Sequence, residues 1–188
     1  STSIVYKYSF AHNEFVAGEW WSGMANSVIA LAFLEGYEVF LDTTYYQNFQ
    51  KAINGVIELV EDGGSAIEFT DGARWYLEYV DINRNFQNSY FVLNGFLFSL
   101  LAIDIIAEKT AQEVYLDAYN QGVNAFVLLK DKFITGNGFW TNYMLNPLTI
   151  ESTHYSIYDV LLFKSLLLCT YNSVFADEIL KRQSILLS

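Results

Sequence analysis

Apolar residues recur every three or four positions over six stretches of the chain, and these stretches fall into three consecutive pairs. Met24, Val28, Leu31, Leu34 and Tyr37 mark a helix over 22–41. Phe49, Ile53, Val56, Ile57 and Val60 mark a second over 44–60, opened by a Thr44-to-Gln47 capping box and closed by Asp62-Gly63-Gly64. The second pair is read over 89–107 and 111–130. Its later member carries an apolar face of Ala111, Val114, Tyr115, Ala118, Val123, Phe126 and Val127 behind a Thr110–Glu113 capping box. The third pair covers 152–169 and 173–187.

Between these pairs the period changes. Residues 66–69 and 75–79 flank Thr70-Asp71-Gly72-Ala73, a turn that tolerates positive φ, and read as a β-hairpin. The segment 83–88 reads as loop, 135–138 as a turn and 139–143 as a short extended piece. A repeat supports the pairing: Tyr45, Phe49, Ile53-Asn54 and Val56-Ile57 match Tyr115, Tyr119, Val123-Asn124 and Phe126-Val127. A shorter echo sets Phe98-Ser99-Leu100-Leu101 against Lys164-Ser165-Leu166-Leu167. Repeated hairpins with apolar first helices and amphipathic second helices predict an all-α fold, either an α-solenoid or an α/α toroid, that is, an incomplete α/α barrel, with one short β-hairpin insertion. One domain over 1–188 is expected, with 1–14 as an extended lead-in.

Composition narrows the function. Apolar residues make up 53% and charged residues 16%, which excludes disorder. Ten Lys and Arg against 21 Asp and Glu give a net charge of −11, which disfavours nucleic acid and anionic membrane surfaces. The apolar runs 91–103 and 157–169 are short for a transmembrane span. One cysteine, Cys169, excludes an intrachain disulfide, and it reads as a small buried hydrophobe. Asp104 and Glu35 lack the clustered spacing of a metal site, so no metal is expected. The opening Ser-Thr-Ser fits a processed or excised chain, with periplasm, extracellular space or a larger secreted enzyme as candidate settings.

Aromatics reach 18% and gather ahead of each first helix: Trp20-Trp21-Ser22, then Trp75 to Tyr79, then Trp140 to Tyr143 with His154. In a toroid these three points converge on one open end. Aromatic faces beside amides and carboxylates suit sugars; the same rings also bury well as plain core.

These segments resemble the D-glucuronyl C5-epimerases. Glu19-Trp20-Trp21-Ser22-Gly23-Met24-Ala25-Asn26 is similar to that family's Pro-Trp-Tyr-Ser-Gly-Met-Ala-Gln. Trp75-Tyr76-Leu77-Glu78-Tyr79 resembles Trp-Tyr-Glu-Glu-Tyr-Pro, with Val80 in place of the proline. Ser89-Tyr90-Phe91-Val92-Leu93-Asn94-Gly95-Phe96 is similar to Ser-Phe-Val-Leu-Asn-Gly-Phe, and Thr135-Gly136-Asn137-Gly138 stands where the family has an Asp-Thr-Gly turn. The resemblance runs from about Phe15 to the end, in order, over the family's C-terminal domain.

The resemblance implies an α/α toroid and inversion of C5 in uronic acid residues of a polysaccharide, by proton abstraction and return without an obligatory redox cofactor. It implies Tyr79 and Glu78 as catalytic groups, with His154 at the kept histidine of a Tyr-His-x-x-His run. Thr141-Asn142 replaces a Tyr-Asp pair, so Tyr143, Tyr155 and Tyr158 are the nearby tyrosines able to substitute. Expected substrate-binding residues are Trp20, Trp21, Ser22, Asn26, Arg84, Asn94, Tyr143 and Tyr155, with Arg84 facing a substrate carboxylate. An acidic polysaccharide or oligosaccharide is the expected partner, and a homodimer the assembly the family suggests. The competing class is a catalytically silent carbohydrate-binding domain acting in polysaccharide modification or export. A lyase or hydrolase on the same toroid is the third.

Overall fold

A computed structural model describes residues 3–11, 18–81 and 89–187 of the chain. Arg84, His12 and the loop expected over 83–88 lie outside the described residues. Six helices form three antiparallel hairpins: α1 (Gly23–Phe40) with α2 (Thr43–Ile57), α3 (Leu93–Thr110) with α4 (Glu113–Leu129), and α5 (Thr153–Thr170) with α6 (Ser173–Leu186). The first helix of each pair packs on the next first helix, α1 on α3 and α3 on α5, with the second helices outside them. This is the expected incomplete α/α barrel. Helix α3, flanked on both sides, is buried almost all round.

The three hairpins share one connector. Leu41, Ala111 and Tyr171 take up left-handed backbone at φ of 55°, 51° and 53°, and each N–H closes its helix on the carbonyl four residues back. Asp42, Gln112 and Asn172 follow in extended backbone and start the next helix. A left-handed non-glycine residue costs roughly 1–2 kcal/mol. Its recurrence at the same point shows that hairpin packing imposes it. Leu41 and Ala111 keep the register of the Tyr45/Tyr115 repeat. Ser99 and Ser165 do not correspond, standing twelve and six residues before their connectors.

The connector corrects both expected capping boxes. Helix α2 begins a residue early because the Asp42 carboxylate accepts from the Thr44 N–H at 2.8 Å. Thr110 ends α3 instead of capping α4, its hydroxyl donating to the Ile106 carbonyl. Two helical faces also differ from expectation. Helix α1 buries Gly23, Asn26, Ser27, Ala30 and Leu34 and leaves Val28 exposed, because small residues let α2 and α3 approach closely. In α4 the buried face runs through Tyr115, Tyr119, Gly122 and Phe126, leaving Val114 and Val127 exposed. Cys169 is exposed on the last turn of α5, contrary to its reading as core.

Short strands occupy the helix entrances. β1 (Lys7–Tyr8), β2 (Trp20–Trp21) and β5 (Val80–Asp81) form an antiparallel sheet in the order β1-β2-β5, with Trp20 opposite Tyr8 and Asp81. The expected hairpin is β3 (Ala66–Glu68) with β4 (Arg74–Tyr76), wedged against α4 by the Tyr76 hydroxyl, which donates to the Ala118 carbonyl at 2.6 Å. β6 (Asn142–Leu145) and β7 (Leu148–Ile150) form a third hairpin around Asn146-Pro147, which extends the short piece expected over 139–143. Residues 89–92 are not the first turn of α3: Val92 bridges Met144 and the Phe91 carbonyl accepts from Leu145 N–H.

Asn26 ties the lead-in to the barrel. Its fully buried amide donates to the Ile4 and Ala52 carbonyls, and its Oδ1 accepts from the Tyr6 N–H. Substituting Asn26→Ala leaves these groups unpaired and should lower unfolding free energy by about 3 kcal/mol in urea titration; a loss below about 1 kcal/mol would contradict the clamp.

Candidate functional site

Strand β4 stops at Tyr76 because the next residue is used from both sides. The Leu77 N–H donates to the Ser65 carbonyl, and the Leu77 carbonyl accepts from Gly23 N–H, the first residue of α1. A β-carbon at Gly23 would collide with that carbonyl, and one at Gly95 would collide with the Glu78 carboxyl. The segment Leu77–Tyr79 therefore threads between the entrances of α1 and α3, and glycine is what each entrance requires. This bend corrects the expectation of a hairpin strand over 75–79, along which neighbouring side chains would point to opposite faces. The two side chains instead meet, and the Tyr79 hydroxyl hydrogen-bonds to the Glu78 carboxyl.

Glu78 is buried, with Oε2 lacking a hydrogen-bond partner among the described residues. Burial pushes its carboxyl up to about 7, against a smaller lowering by the Tyr79 hydrogen bond. It packs against Gly95 in the first turn of α3, which has no side-chain cap. Asn94, one residue before Gly95, is buried with a second unpartnered acceptor, Oδ1.

Tyr79 is half-buried and also hydrogen-bonds to Tyr143 of β6. Burial first, and the Glu78 charge next, hold both phenols above their ordinary range. Trp20 packs edge-on to Tyr79 with ring centres 5.7 Å apart and stacks on Tyr8 at 4.4 Å. Tyr143 meets Tyr155 at 5.1 Å, and His154 lies 5.9 Å from Tyr155 and 4.9 Å from Tyr158. A continuous aromatic row thus runs Trp20–Tyr79–Tyr143–Tyr155–His154–Tyr158, from the buried indole to exposed rings on α5. It joins one element from each of the three helix entrances.

The other expected site residues are placed elsewhere. Trp21 alternates to the opposite face of β2, sits in the main core and donates from its indole to the Gly64 carbonyl. Ser22 caps α1 by accepting from Ala25 N–H, and Asn26 holds the lead-in. Among the neighbouring aromatics, Trp75 is sealed between Phe96 and Phe133, and Trp140 donates to the Glu151 carbonyl. Arg74 is engaged by Glu68, and Glu35 by Lys109. Among the described residues no group of His, Cys, Asp and Glu is arranged to hold a metal. None of their helices is long and apolar enough to cross a membrane. Tyr8 and Tyr90 join this aromatic cluster without having been expected. The alternation of Tyr6-Lys7-Tyr8 was the available signal for Tyr8.

Beside this row, Glu78 sets a buried carboxyl of raised proton affinity next to the Tyr79 phenol. The sequence matches the family described as D-glucuronyl C5-epimerase C-terminus over residues 1–184, and the chain belongs to that family. Comparison with curated protein sequences finds no match. The fold is similar to cellobiose 2-epimerase from Bacillus thermoamylovorans B4167 (TM-score 0.60, 14% identity), covering 87% of this chain and 43% of that one. It is similar also to a family 76 glycoside hydrolase from a bovine Bacteroides thetaiotaomicron strain (TM-score 0.59, 12% identity, 90% and 36% covered). A D-mannose isomerase gives a TM-score of 0.58 at 12% identity, with 98% and 44% covered. The chain thus spans less than half the length of these structures, and at such identities the likeness shows the α/α fold alone.

Glu78 sets a pH dependence. Its carboxyl, raised in the folded state from 4.5 to about 7, contributes stability that is complete below the unfolded value and lost as pH rises through about 7. The difference is about 3 kcal/mol. Urea midpoints of wild type should fall more steeply between those pH values than those of Glu78→Gln; parallel curves would show that Glu78 titrates as an ordinary carboxylate.

Proposed function

We propose that this domain inverts C5 of uronic acid residues in an acidic polysaccharide or oligosaccharide. The observation that carries the reading is the Glu78–Tyr79–Tyr143 chain of hydrogen-bonding groups beside Trp20, with Trp20, Glu78 and Tyr79 in the segments that resemble the family's motifs. C5 inversion needs a base on one face of the ring and an acid on the other. Glu78 accepts the Tyr79 phenolic proton while the Tyr79 oxygen takes the proton from C5. Glu78 is suited to this because its affinity for protons lies near neutrality. The carbanion is held as an enolate of the substrate carboxylate, and a second acid returns a proton to the opposite face.

Tyr143 is the better placed second acid, since it reaches Tyr79 directly, whereas His154 reaches the group through the Tyr155 ring. A sugar seated between the two phenols replaces their mutual hydrogen bond. Trp20 backs Tyr79, Tyr155 flanks Tyr143, and Asn94 Oδ1 is an available acceptor in the turn that carries Gly95. Tyr143 thereby supplies the phenol missing at Thr141, from two residues further along the chain. Arg84 remains the candidate for the substrate carboxylate, from its place after β5.

Uptake of solvent deuterium at C5 of glucuronan, heparosan or alginate oligosaccharides tests the reaction. Wild type should incorporate deuterium, and Tyr79→Phe and Tyr143→Phe should each lower the rate by about 100-fold or more, with retained binding. Binding without exchange would replace the enzyme reading by that of a silent carbohydrate-binding domain. Exchange unaffected by Tyr79→Phe would remove Tyr79 from the chemistry.

A further inference from the structure

Behind the aromatic row lies a second set of buried ionisable groups that the proposed reaction does not use. Arg182 of α6 is fully buried. Its Nη1 donates to Asp159 Oδ2 of α5 at 3.0 Å and stands 3.7 Å from the Glu151 carboxylate, just after β7. Its Nε is 3.6 Å from Glu178, one turn earlier in α6, and its guanidinium lies 5.3 Å from the Phe163 ring centre. Glu178 also meets Lys130, 3.6 Å away at the end of α4. Three buried carboxyls thus surround one buried guanidinium, and the second cation is shared with the exposed Asp131.

Glu151 Oε2 and Asp159 Oδ2 converge on the same Arg182 Nη1, at 3.7 and 3.0 Å, and each carboxyl acts on the other as a hydrogen-bonding neighbour. Glu151 Oε1 and Asp159 Oδ1 are buried without a hydrogen-bond partner among the described residues. Two carboxylates cannot hydrogen-bond without a proton between them, and two adjacent buried negative charges carry a heavy desolvation cost. One proton retained by the pair removes both difficulties.

The pair sits where β6 and α5 are joined. The Thr141 hydroxyl donates to Glu151 Oε2 at 2.6 Å and lies 3.2 Å from the Ser156 hydroxyl. Thr141 is two residues before Tyr143, and Ser156 follows Tyr155. Glu151 N–H donates to the Thr141 carbonyl, and the Glu151 carbonyl accepts from the Trp140 indole. We propose that Glu151 and Asp159 share one proton and, clamped by Arg182, act as positioning residues that hold Tyr143 and Tyr155 in the site. The positioning role rests on the epimerase reading of those tyrosines; the shared proton does not.

Loss of the proton leaves two adjacent carboxylates against one guanidinium and loosens the junction. The charged and titratable groups facing the pair are Arg182 and Glu178 of α6, Lys130 after α4, and Tyr143 of β6, on which Glu151 acts electrostatically. Asp104 and Glu108 of α3 act on Cys169 at the other end of α5.

Infrared difference spectra without substrate test the pair. Near pH 8, roughly four units above an unperturbed aspartate, wild type should show the carbonyl stretch of a protonated carboxyl. The band should vanish in both Asp159→Asn and Glu151→Gln, because either amide removes the need for the proton; subtraction cancels any contribution from Glu78. The tyrosine near-ultraviolet circular dichroism of wild type should change at the alkaline pH where the band is lost, and that of Asp159→Asn should not. A wild type without the band, or a band that survives in the variants, overturns the proposal. If Asp159→Asn fails to fold, the nearly isosteric Glu151→Gln carries both comparisons. Because no substrate is present, these outcomes are separate from success or failure of the deuterium exchange.

Discussion

The site depends on the passage of Leu77–Tyr79 between the starts of two inner helices. Gly23 and Gly95 leave room for a backbone carbonyl on one side and a carboxyl on the other, and no larger residue fits either place without displacing them. The Gly23 N–H fixes Leu77, and the wall of α3 turns Glu78 inward. Tyr79 then emerges against Trp20 and Tyr143. Gly23 and Gly95, on two different helices, thus both serve the Leu77–Tyr79 segment. The hairpin repeat supplies the frame, since its recurring two-residue connector sets first helices side by side and brings their entrances to one end.

The domain buries carboxyls in two ways. Glu78 has one phenol partner and one unpartnered oxygen, so the cost of its charge raises its proton affinity and makes it a usable acceptor at neutral pH. Glu151, Asp159 and Glu178 surround Arg182, Lys130 adds a second cation at Glu178, and the one remaining negative charge is met by the proton the Glu151–Asp159 pair retains. The first arrangement suits proton transfer. The second suits rigid attachment of a short β-hairpin to a helix start, which a two-stranded ribbon alone does not achieve.

The helix pairs and the β3–β4 hairpin were legible because period and turn chemistry agree with tertiary packing there. Phe49, Ile53, Val56 and Ile57 face the core as their spacing implies. Helix α1 was less legible in detail, since its buried face is made of Gly23, Asn26, Ser27 and Ala30, which hydropathy passes over. In the site, motif resemblance pointed to Glu78 and Tyr79, but their contact depends on a bend made by hydrogen bonds from residues 65 and 23, which local sequence does not encode. Alternation along β2 sends Trp20 to the site and Trp21 to the core, a division that sequence alone could not orient. Asp159 and Arg182 were invisible as a pair because they meet across two helices.

The most direct test of the central claim is the titration of the Glu78 carboxyl itself, followed by carbon NMR of carboxyl-labelled glutamate and assigned by the loss of its resonance in Glu78→Gln. The account predicts a midpoint near 7, reflecting a carboxyl sealed against α3 beneath Tyr79. A midpoint near 4.5, the value of an unperturbed glutamate, would show Glu78 open to solvent and would contradict it.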